Sequence, residues 1–344
     1  MDVLRTIADE LGVRVGQVAN TASLLDEDNT VPFIARYRKE TTGELDEVQI
    51  RAIQERLEYL RALEARKETV LKSIDDQGKL TPELEGAIRS ATQRQEVEDL
   101  YLPYRPKRRT RATIARERGL EPLAQMILAQ EITRGSLEEQ ALPFLNDDVP
   151  TVEDAYAGAR DIVAETVAED AETRRLVRER TLRKGVLASS QSKQEADPQE
   201  KYRDYYTFEQ RLSGIQPHRL LALNRGEREE ALKVRLEAPV EDLVSALARR
   251  YVVNRRSIFC GQAQAAVEDA YKRLIARSIE RELRAARTEA AGERAIDVFG
   301  SNLRSLLLQP PIRGRVVLGI DPGYRTGCKV VVVDATSRYV EGTT

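Results

Sequence analysis

The sequence has no tryptophan, one histidine and only two cysteines among its 344 residues. Cys260 and Cys328 are far apart in the chain, which excludes a disulfide framework and a thiolate metal site and is typical of a reducing compartment. A zinc site or a Ser-His-Asp triad would depend on His218 alone. We therefore interpret His218 as a surface histidine at the start of a helix, and we expect neither a metal nor another cofactor.

Long hydrophobic runs and an excess of positive charge are also missing. No apolar run approaches the ~20 residues of a membrane-spanning helix, and the first residues lack the pattern of a signal peptide, so we expect a soluble cytoplasmic protein without a membrane partner. Lys and Arg (55) nearly balance Asp and Glu (57), for a formal net charge of −2. A globally basic nucleic-acid binder is therefore excluded, and any such affinity must come from local patches.

Apolar residues recur at helical spacing through most of the chain. A first helix that ends at Gly12 and a second that begins near Val15 have the spacing of a helix-turn-helix module, although any antiparallel helix pair has the same pattern. A short helix is predicted over 31–40. An apolar stripe from Val48 through Leu57 to Ile74 predicts one long helix that ends at Gly78.

The second half of the chain mixes predicted strands with long helices. Strands are predicted over 185–192 and 232–236, with an exposed loop at 193–201 and a helix that ends at Gly226. Two long helices, over 263–287 and 295–308, precede Pro310 and Pro311, which indicate a domain boundary. Two further runs, at 316–321 and 329–334, predict buried strands that begin an α/β sheet. Without further strands, such a sheet leaves apolar faces and unpaired edges.

The strongest local charge lies in residues 101–118, which we call the basic segment. This segment contains seven cations and one acid, Glu117, and therefore has a local net charge of +6. Two prolines predict an extended passage at its start. Cations held together can neutralise several phosphates with release of counterions, and Tyr101 and Tyr104 offer stacking surfaces, which predicts salt-sensitive binding that is blind to sequence. The alternative is that the cations pair with Glu96, Glu98 and Asp99. The predicted contact residues are Arg105, Lys107, Arg108, Arg109, Arg111 and Tyr104.

A smaller basic cluster consists of Arg36, Arg38 and Lys39, on the short predicted helix that also carries Phe33 and Tyr37. Mixed faces of this kind are typical of core helices with a charged rim. The functional alternative is a secondary contact with phosphate groups.

Asp321, Pro322 and Gly323 follow the first of the C-terminal strands, and this triplet fits a type II turn. One functional interpretation makes Asp321 the first acid of a metal-dependent nuclease whose other carboxylates lie beyond Thr344. Another is a glycine-rich loop in which the backbone N–H groups of Gly323, Thr326 and Gly327 hold a nucleotide phosphate. No Walker motif accompanies it.

Four runs together resemble the bacterial Tex family of transcription accessory proteins: TVPFIARYRKE at 30–40, LDEVQIR at 45–51, YLPYRPKRRT at 101–110 and DPGYRTGCK at 321–329. The resemblance covers the whole chain and implies a mainly α fold. It implies an N-terminal helical region with helix-turn-helix-like elements (1–200), a helical central region (201–311) and the truncated start of an α/β YqgF/RNase H-like domain (312–344).

The same resemblance implies a cytoplasmic protein that binds RNA or single-stranded nucleic acid and associates with RNA polymerase or other transcription machinery. It implies that helix-hairpin-helix domains and a C-terminal OB-fold RNA-binding domain are missing from this chain. It also implies a non-catalytic scaffold, in which Asp321 is the counterpart of the first acid of RNase H-like folds and marks the fold alone. The metal-dependent nuclease is the alternative function, and a pure protein-interaction scaffold is the third.

Overall fold

The computed structural model describes residues 2–106, 108–192, 196–310, 312, 314–323 and 327–344. The chain is mostly helical, as the sequence predicts, and its contacts divide it into two units, one formed by 1–186 with 236–283 and the other by 187–235 with 284–344. The regions 1–200, 201–311 and 312–344 stay predictions. Within the described ranges no helix is both long and apolar enough to span a bilayer.

The first part of the chain is entirely helical. Its α-helices are α1 (Val3–Leu11), α2 (Val15–Asp26), α3 (Val31–Tyr37), α4 (Lys39–Thr42), α5 (Glu47–Asp75), α6 (Pro82–Ser90), α7 (Arg94–Tyr101), α8 (Arg111–Glu117), α9 (Glu121–Ala129), α10 (Leu137–Ala141), α11 (Val152–Glu169) and α12 (Ala171–Lys184). Short 3₁₀ turns cover Leu102–Tyr104 and Leu142–Phe144.

The later elements alternate between strand and helix. In chain order they are β1 (Val186–Gln191), β2 (Thr207–Arg211), α13 (Pro217–Arg228), β3 (Leu232–Glu237), α14 (Val240–Tyr251), α15 (Cys260–Asp269), a π-helical segment (Ala270–Ile275), α16 (Ala276–Leu307), β4 (Val317–Asp321), β5 (Lys329–Val333) and β6 (Tyr339–Thr343). Short 3₁₀ turns lie at Arg203–Tyr205 and Leu212–Gly214.

Local sequence signals set several of these boundaries. Gly12 ends α1 and Gly43 ends α4 with φ of 65° and 66°, a left-handed conformation that glycine adopts at little cost. Asp46 begins α5 by accepting a hydrogen bond from the Gln49 backbone N–H, while the Gln49 side chain accepts one from the Asp46 N–H, so both N-terminal donors are satisfied. The predicted single helix over 31–40 is interrupted, because Arg38 (φ −129°) separates α3 from α4.

Helix α5 forms the centre of the first core. Its buried face passes through Ile50, Ile53, Leu57 and Leu60, at the spacing of three and four residues that keeps side chains on one side of a helix. The prediction of one long helix is therefore confirmed, but its first position was wrong. Val48 is 76% exposed, since it lies off the face that Ile50 begins.

A buried network of charges joins α7, α12 and α16. The Asp99 carboxylate lies 2.9 Å from Arg174 Nε and 2.6 Å from Arg178 Nη2, and the side chains of Asp99 and Arg174 are only 5% and 8% exposed. Glu282 of α16 pairs with Arg178, and Ser278 accepts a hydrogen bond from Arg174 Nη2 at 2.8 Å. Each charge therefore has opposite-charge or hydrogen-bonding partners, as buried ions require.

Helix α11 is the centre of the rest of the first unit. It packs against α8, α9, α15 and the π-helical segment. The buried residues of this helix recur at helical spacing and include Ala155, Ala159, Ile162, Val163 and Val167.

In the second unit, Gly226 does not end a helix as predicted. Helix α13 continues to Arg228, and the glycine serves a close contact instead, because a Cβ there would lie 2.6 Å from Leu232 Cδ1 and 3.0 Å from Tyr202 Cδ1. The loop predicted at 193–201 falls partly outside the described residues. Its exposure is contradicted at Asp197, which is buried and accepts hydrogen bonds from the backbone N–H groups of residues 201 and 202.

The two long helices predicted over 263–287 and 295–308 are not separate. Helix α16 runs without a break from Ala276 to Leu307, through Gly292, whose surroundings are open. A single glycine costs an exposed helix only about 1 kcal/mol, which explains why the pattern weakens there without ending the helix. Of the predicted double-proline boundary, Pro311 lies outside the described residues.

Strands β4, β5 and β6 form an antiparallel sheet in that order, with Val317 opposite Val333 and Asp321 opposite Lys329. The two predicted strands are confirmed, but their predicted burial is wrong. Leu318 and Ile320 are 57% and 60% exposed, because three strands by themselves leave both faces of a sheet open. A separate sheet has the order β2-β1-β3.

Replacing Asp99 with Asn should destabilise the first unit strongly, because Arg174 and Arg178 would lose the charge that compensates their burial. We expect the free energy of urea-induced unfolding to fall by about 3–5 kcal/mol. The matched control is Asp9→Asn on the exposed side of α1, which should change little. A loss for Asp99→Asn of less than about 1 kcal/mol, the level of an exposed pair, would contradict the role of this network.

Candidate nucleic-acid interface

The basic segment is held against the first unit by two anchors. At its start, Gln77 Nε2 donates to the Tyr104 carbonyl at 2.9 Å. Further along, the Thr110 hydroxyl accepts a hydrogen bond from the Thr113 N–H at 3.0 Å, and so caps α8, and it lies 2.9 Å from Glu165 Oε2 on α11. The predicted extended passage was wrong at Leu102–Tyr104, which forms a 3₁₀ turn, since proline is tolerated in the first turn of a helix.

Arg116 is the cation of the segment that pairs with two acids, although its side chain is 38% exposed. Its guanidinium lies 2.8 Å from Glu165 Oε1 and 2.8 Å from Glu121 Oε2. Burial alone would lower the pKa of Arg116, but hydrogen bonds to Glu165 and Glu121 outweigh it and raise that pKa. This side chain therefore ties the segment to α11 and does not count among its phosphate contacts.

The other described cations of the segment face solvent. Arg105, Arg108, Arg109 and Arg111 are exposed, and Arg109 Nη2 pairs with Glu117 Oε2 at 2.6 Å while its side chain stays 68% exposed. In the part of the chain that the structure describes, no acid lies within 4 Å of the guanidinium groups of Arg105, Arg108 or Arg111. Lys107 lies outside the described residues.

The acids that would neutralise the segment have other partners. Glu96 accepts hydrogen bonds from the backbone N–H groups of Thr92 and Gln93, and Asp99 belongs to the buried network. Glu98 receives two hydrogen bonds from Arg66, at 2.7 and 3.0 Å. The geometry therefore disfavours the alternative in which these acids quench the segment.

The two tyrosines offer less stacking surface than expected. Tyr101 is buried, its hydroxyl lies 2.9 Å from Ser73 Oγ, and the Arg66 guanidinium lies 5.5 Å from its ring centroid. The prediction that Tyr101 stacks on bases is therefore wrong, because its helical position places it on the core face of α7. Tyr104 is half-buried and packs partly against the same core.

Arg36, Arg38 and Lys39 are exposed, and Tyr37 beside them is 64% exposed. The core face of α3 consists of Val31 and Ile34. This cluster precedes α5 in the chain, whereas Gln77, which holds the basic segment, follows the end of α5. Because α5 has 29 residues and a helix rises about 1.5 Å per residue, the helix between them is roughly 40 Å long.

Arg94 is a candidate contact that the sequence reasoning missed. It is exposed at the start of α7, and its charge, like that of Arg105, acts on the Glu98 carboxylate. Residues 94, 98, 101 and 105 follow helical spacing, which could have indicated that Arg94 extends the segment.

The two helices predicted on either side of Gly12 form as α1 and α2, but two polar side chains of α2 bond to the backbone of the same chain. Gln17 Nε2 donates to the Gly43 carbonyl at 2.8 Å, and Asn20 Nδ2 donates to the Thr41 carbonyl at 2.7 Å. These contacts favour the antiparallel helix pair over a helix that reads DNA.

Asp321 lies at the exposed end of β4, opposite Lys329. Asp334 follows β5 and lies at the other end of the hairpin, about 17 Å along the strand at about 3.3 Å per residue. Within the described ranges, no group of three or more His, Cys, Asp or Glu side chains could hold a metal ion. Thr326 of the predicted phosphate-holding loop lies outside the described residues, and the loop stays a prediction. His218 is exposed in the first turn of α13, as the sequence predicts.

Glu98 makes the stability of the fold depend on pH, and this dependence can be measured. Hydrogen bonds from Arg66 lower the pKa of Glu98, burial opposes them, and the charges of Arg66, Arg94 and Arg105 lower it further. A lowered pKa means that ionised Glu98 stabilises the fold above the ordinary glutamate pKa of about 4.3, and that this stabilisation is lost as the pH falls through the lowered value.

We therefore expect Glu98→Gln to be less stable than the parent chain at pH 7, and the difference to shrink as the pH falls below about 4. Urea unfolding of both chains between about pH 3 and 7 measures the change. Glu58→Gln, on an exposed face of α5, is the control and should show a small difference at every pH. A Glu98→Gln difference that does not vary with pH would contradict the pairing.

The chain matches three family models in order. Residues 1–75 match the Tex-like protein N-terminal domain, 134–299 the Tex central region-like model, and 315–344 the Tex protein YqgF-like domain. The YdcI protein of Bacillus subtilis is 44% identical over 339 residues, which cover 97% of this chain and 47% of that protein. The transcriptional accessory protein Tex of Neisseria gonorrhoeae is 39% identical over 346 residues, covering 99% of this chain and 45% of its own length.

The human S1 RNA-binding domain-containing protein 1 is 31% identical over 355 residues, which cover 98% of this chain and 35% of that protein. The chain thus spans about half the length of its bacterial relatives. The three matched domains occur together and in order, at about 40% identity to proteins named Tex, and they confirm the resemblance carried by the four sequence runs. The chain belongs to the Tex family of transcription accessory proteins.

Proposed function

We propose that this chain binds RNA or single-stranded nucleic acid through the basic segment, as a non-catalytic scaffold of a transcription accessory protein. The observation that carries the proposal is that Arg105, Arg108 and Arg111 are exposed without an acid within 4 Å among the described residues, while Glu96, Glu98 and Asp99 are bound elsewhere. Relatives named as transcription accessory and RNA-binding domain proteins support the same role.

The segment suits phosphate groups rather than base edges. Guanidinium groups recognise phosphate oxygens through paired N–H donors, and the anchors at Tyr104 and Thr110 fix the backbone that carries them. With Tyr101 buried, little aromatic surface is left for stacking. Binding is therefore dominated by counterion release, which gives a steep salt dependence and little sequence preference.

The proposal also includes the partners of the protein and its compartment. A protein that binds transcripts would meet RNA polymerase or other transcription machinery in the cytoplasm of a bacterial cell, and the relatives named as transcription accessory proteins support that partnership. The exposed cluster of Arg36, Arg38 and Lys39 is a second phosphate contact in this proposal, for a strand long enough to cover the roughly 40 Å along α5.

Replacing Arg105, Arg108, Arg109 and Arg111 with Gln should weaken the binding of a single-stranded RNA. We expect at least about a tenfold loss of affinity at low salt, and a slope of log K against log salt concentration that falls by about 3, since each phosphate contact on a single strand contributes about 0.7. Fluorescence anisotropy with a labelled oligonucleotide at several salt concentrations measures both.

The matched control removes four exposed arginines elsewhere in the first unit, namely Arg5, Arg134, Arg249 and Arg255. It makes the same change in net charge and should leave the slope nearly unchanged. Equal slopes of log K against log salt concentration for the parent chain and the basic-segment variant would contradict the assignment of these arginines as phosphate contacts. RNA that is not retained at moderate salt by any of the chains, together with association with polymerase, would favour the pure protein-interaction scaffold.

We also propose that Asp321 performs no catalysis in this chain. Two-metal hydrolysis needs carboxylates that hold ions about 3.5–4 Å apart, whereas the hairpin separates Asp321 from Asp334 by most of its length.

Incubation of labelled RNA with the chain and Mg²⁺ or Mn²⁺ should therefore give no cleavage, as judged on a denaturing gel. The Asp321→Asn variant should behave in the same way as the parent chain. Cleavage that needs the metal ion, stops with EDTA and is absent in Asp321→Asn would contradict the non-catalytic function and favour the metal-dependent nuclease.

A further inference from the structure

A second concentration of arginine lies in the first unit, at residues 249–257, which read RRYVVNRRS and which we call the arginine loop. It begins in the last turn of α14 and ends before α15. From residue 243 to residue 267 the chain has no Asp, Glu or Lys, so the four arginines of the loop give this stretch a net charge of +4 in a chain of net charge −2. None of the nucleic-acid contacts proposed above belongs to it.

Hydrogen bonds to the end of α9 and the residues after it fix the backbone of the arginine loop. The Asn254 backbone N–H donates to Gln130 Oε1 at 3.1 Å, and Asn254 Nδ2 donates to the Gln130 carbonyl at 2.9 Å. Gln130 Nε2 in turn donates to the Tyr251 carbonyl at 2.6 Å. Ser257 Oγ donates to the Ile132 carbonyl at 2.9 Å. Because these bonds join residues more than 100 positions apart and Gln130 is 1% exposed, the loop carries its side chains on a fixed backbone.

The arginines of the loop are exposed, and most of them are unpaired. Arg249, Arg250, Arg255 and Arg256 all face solvent. In the part of the chain that the structure describes, Arg250 alone among them has an acid within 4 Å, since its Nη2 lies 3.2 Å from Asp170 Oδ2. Three guanidinium groups are therefore left for a partner from outside the chain.

An exposed apolar residue lies between the two arginine pairs. Val253 is 66% exposed. Tyr251, in contrast, is half-buried, and its hydroxyl lies 2.7 Å from Thr173 Oγ1 and donates to Asp170 at 3.0 Å, so it offers little surface on which a base could stack. An apolar contact among arginines is typical of protein–protein interfaces, in which arginine is enriched. The arginine loop therefore suits a protein better than a nucleic acid.

The charge of the loop selects the composition of that protein. Guanidinium groups pair with carboxylates through two parallel N–H donors, and a surface of one sign attracts a partner of the opposite sign. We propose that the arginine loop docks an acidic segment of a partner protein, with carboxylates at Arg249, Arg255 and Arg256 and an apolar side chain against Val253. An RNA strand would meet the same guanidinium groups but would leave the valine uncovered.

A synthetic acidic peptide tests the charge of the partner. The probe is a short labelled peptide of Asp and Glu around one central Leu, and its control has Asn and Gln in place of the acids. Because the basic segment also attracts acids, every chain compared carries Gln at the four exposed arginines of that segment. In this background the acidic peptide should bind and the neutral one should not. Replacing Arg249, Arg255 and Arg256 with Gln should weaken binding by at least about tenfold, as fluorescence anisotropy measures.

The matched control replaces three exposed arginines of other helices in the first unit, namely Arg5, Arg277 and Arg281. It makes the same change in net charge and should bind the acidic peptide as its background chain does. An equal loss of affinity in this control would reduce the effect to general charge attraction and would contradict the assignment to the arginine loop.

The apolar contact is tested by Val253→Ser, which should change stability little because the side chain is exposed. We expect this variant to bind the leucine peptide at least about threefold more weakly. A peptide with Ser in place of its central Leu should bind both chains equally, since the contact is already absent. The same loss for both peptides, or no loss for either, would overturn the apolar contact.

Two further outcomes would overturn the proposal. One is an acidic peptide that does not bind at submillimolar concentration. The other is a salt slope of RNA binding that falls when Arg249, Arg255 and Arg256 are replaced in the parent chain, because the loop would then be a nucleic-acid contact. The peptide measurements use chains without the cations of the basic segment, so a failure of the proposed RNA contact leaves this test unaffected.

Discussion

The buried charge network around Asp99 is the interaction on which the proposed interface depends. Asp99 is held by Arg174 and Arg178 of α12, and Glu282 of α16 completes the set. The network fixes the direction of α7, and the chain leaves α7 directly into the basic segment. Removing charges from water is costly, and a network of this kind persists only where every member is compensated. Its stability therefore helps to set the position of the exposed cations that follow α7 in the chain.

The same network explains why the basic segment is not neutralised by its own chain. Asp99 turns inward to α12, while the preceding residue, Glu98, is held by Arg66. On the other side, Glu165 holds Thr110 and Arg116 from beneath. The chain thus uses its nearby acids to anchor the segment, and the cations that are left face solvent. A charge of −2 for the whole chain is compatible with a strongly cationic surface because the pairing is selective.

Much of this organisation could be predicted from local sequence, and the rest required contacts between distant residues. Gly12, Gly43 and the capping pair Asp46 and Gln49 act within a few residues, so the ends of their helices were predictable. The cationic character of the basic segment was also visible. Its pairing was not, because Thr110 meets Glu165 across 55 residues and Asp99 meets Arg174 across 75. Tyr101 was misjudged for the same reason, since only α5 shows that its ring is covered.

Helix α12 carries two members of the charge network and is itself fixed at both ends. Arg174 and Arg178 lie one turn apart and both bond to Asp99 of α7. The start of the helix is fixed by Asp170, which accepts hydrogen bonds from Thr173 and Tyr251. Its last turn ends at Gly185, whose backbone N–H donates to the Thr181 carbonyl at 2.7 Å. Because the helix is held at both ends, it presents the two arginines to Asp99 in a fixed direction. The course of the chain after α7 therefore depends on contacts with residues that lie 75 positions further along the sequence.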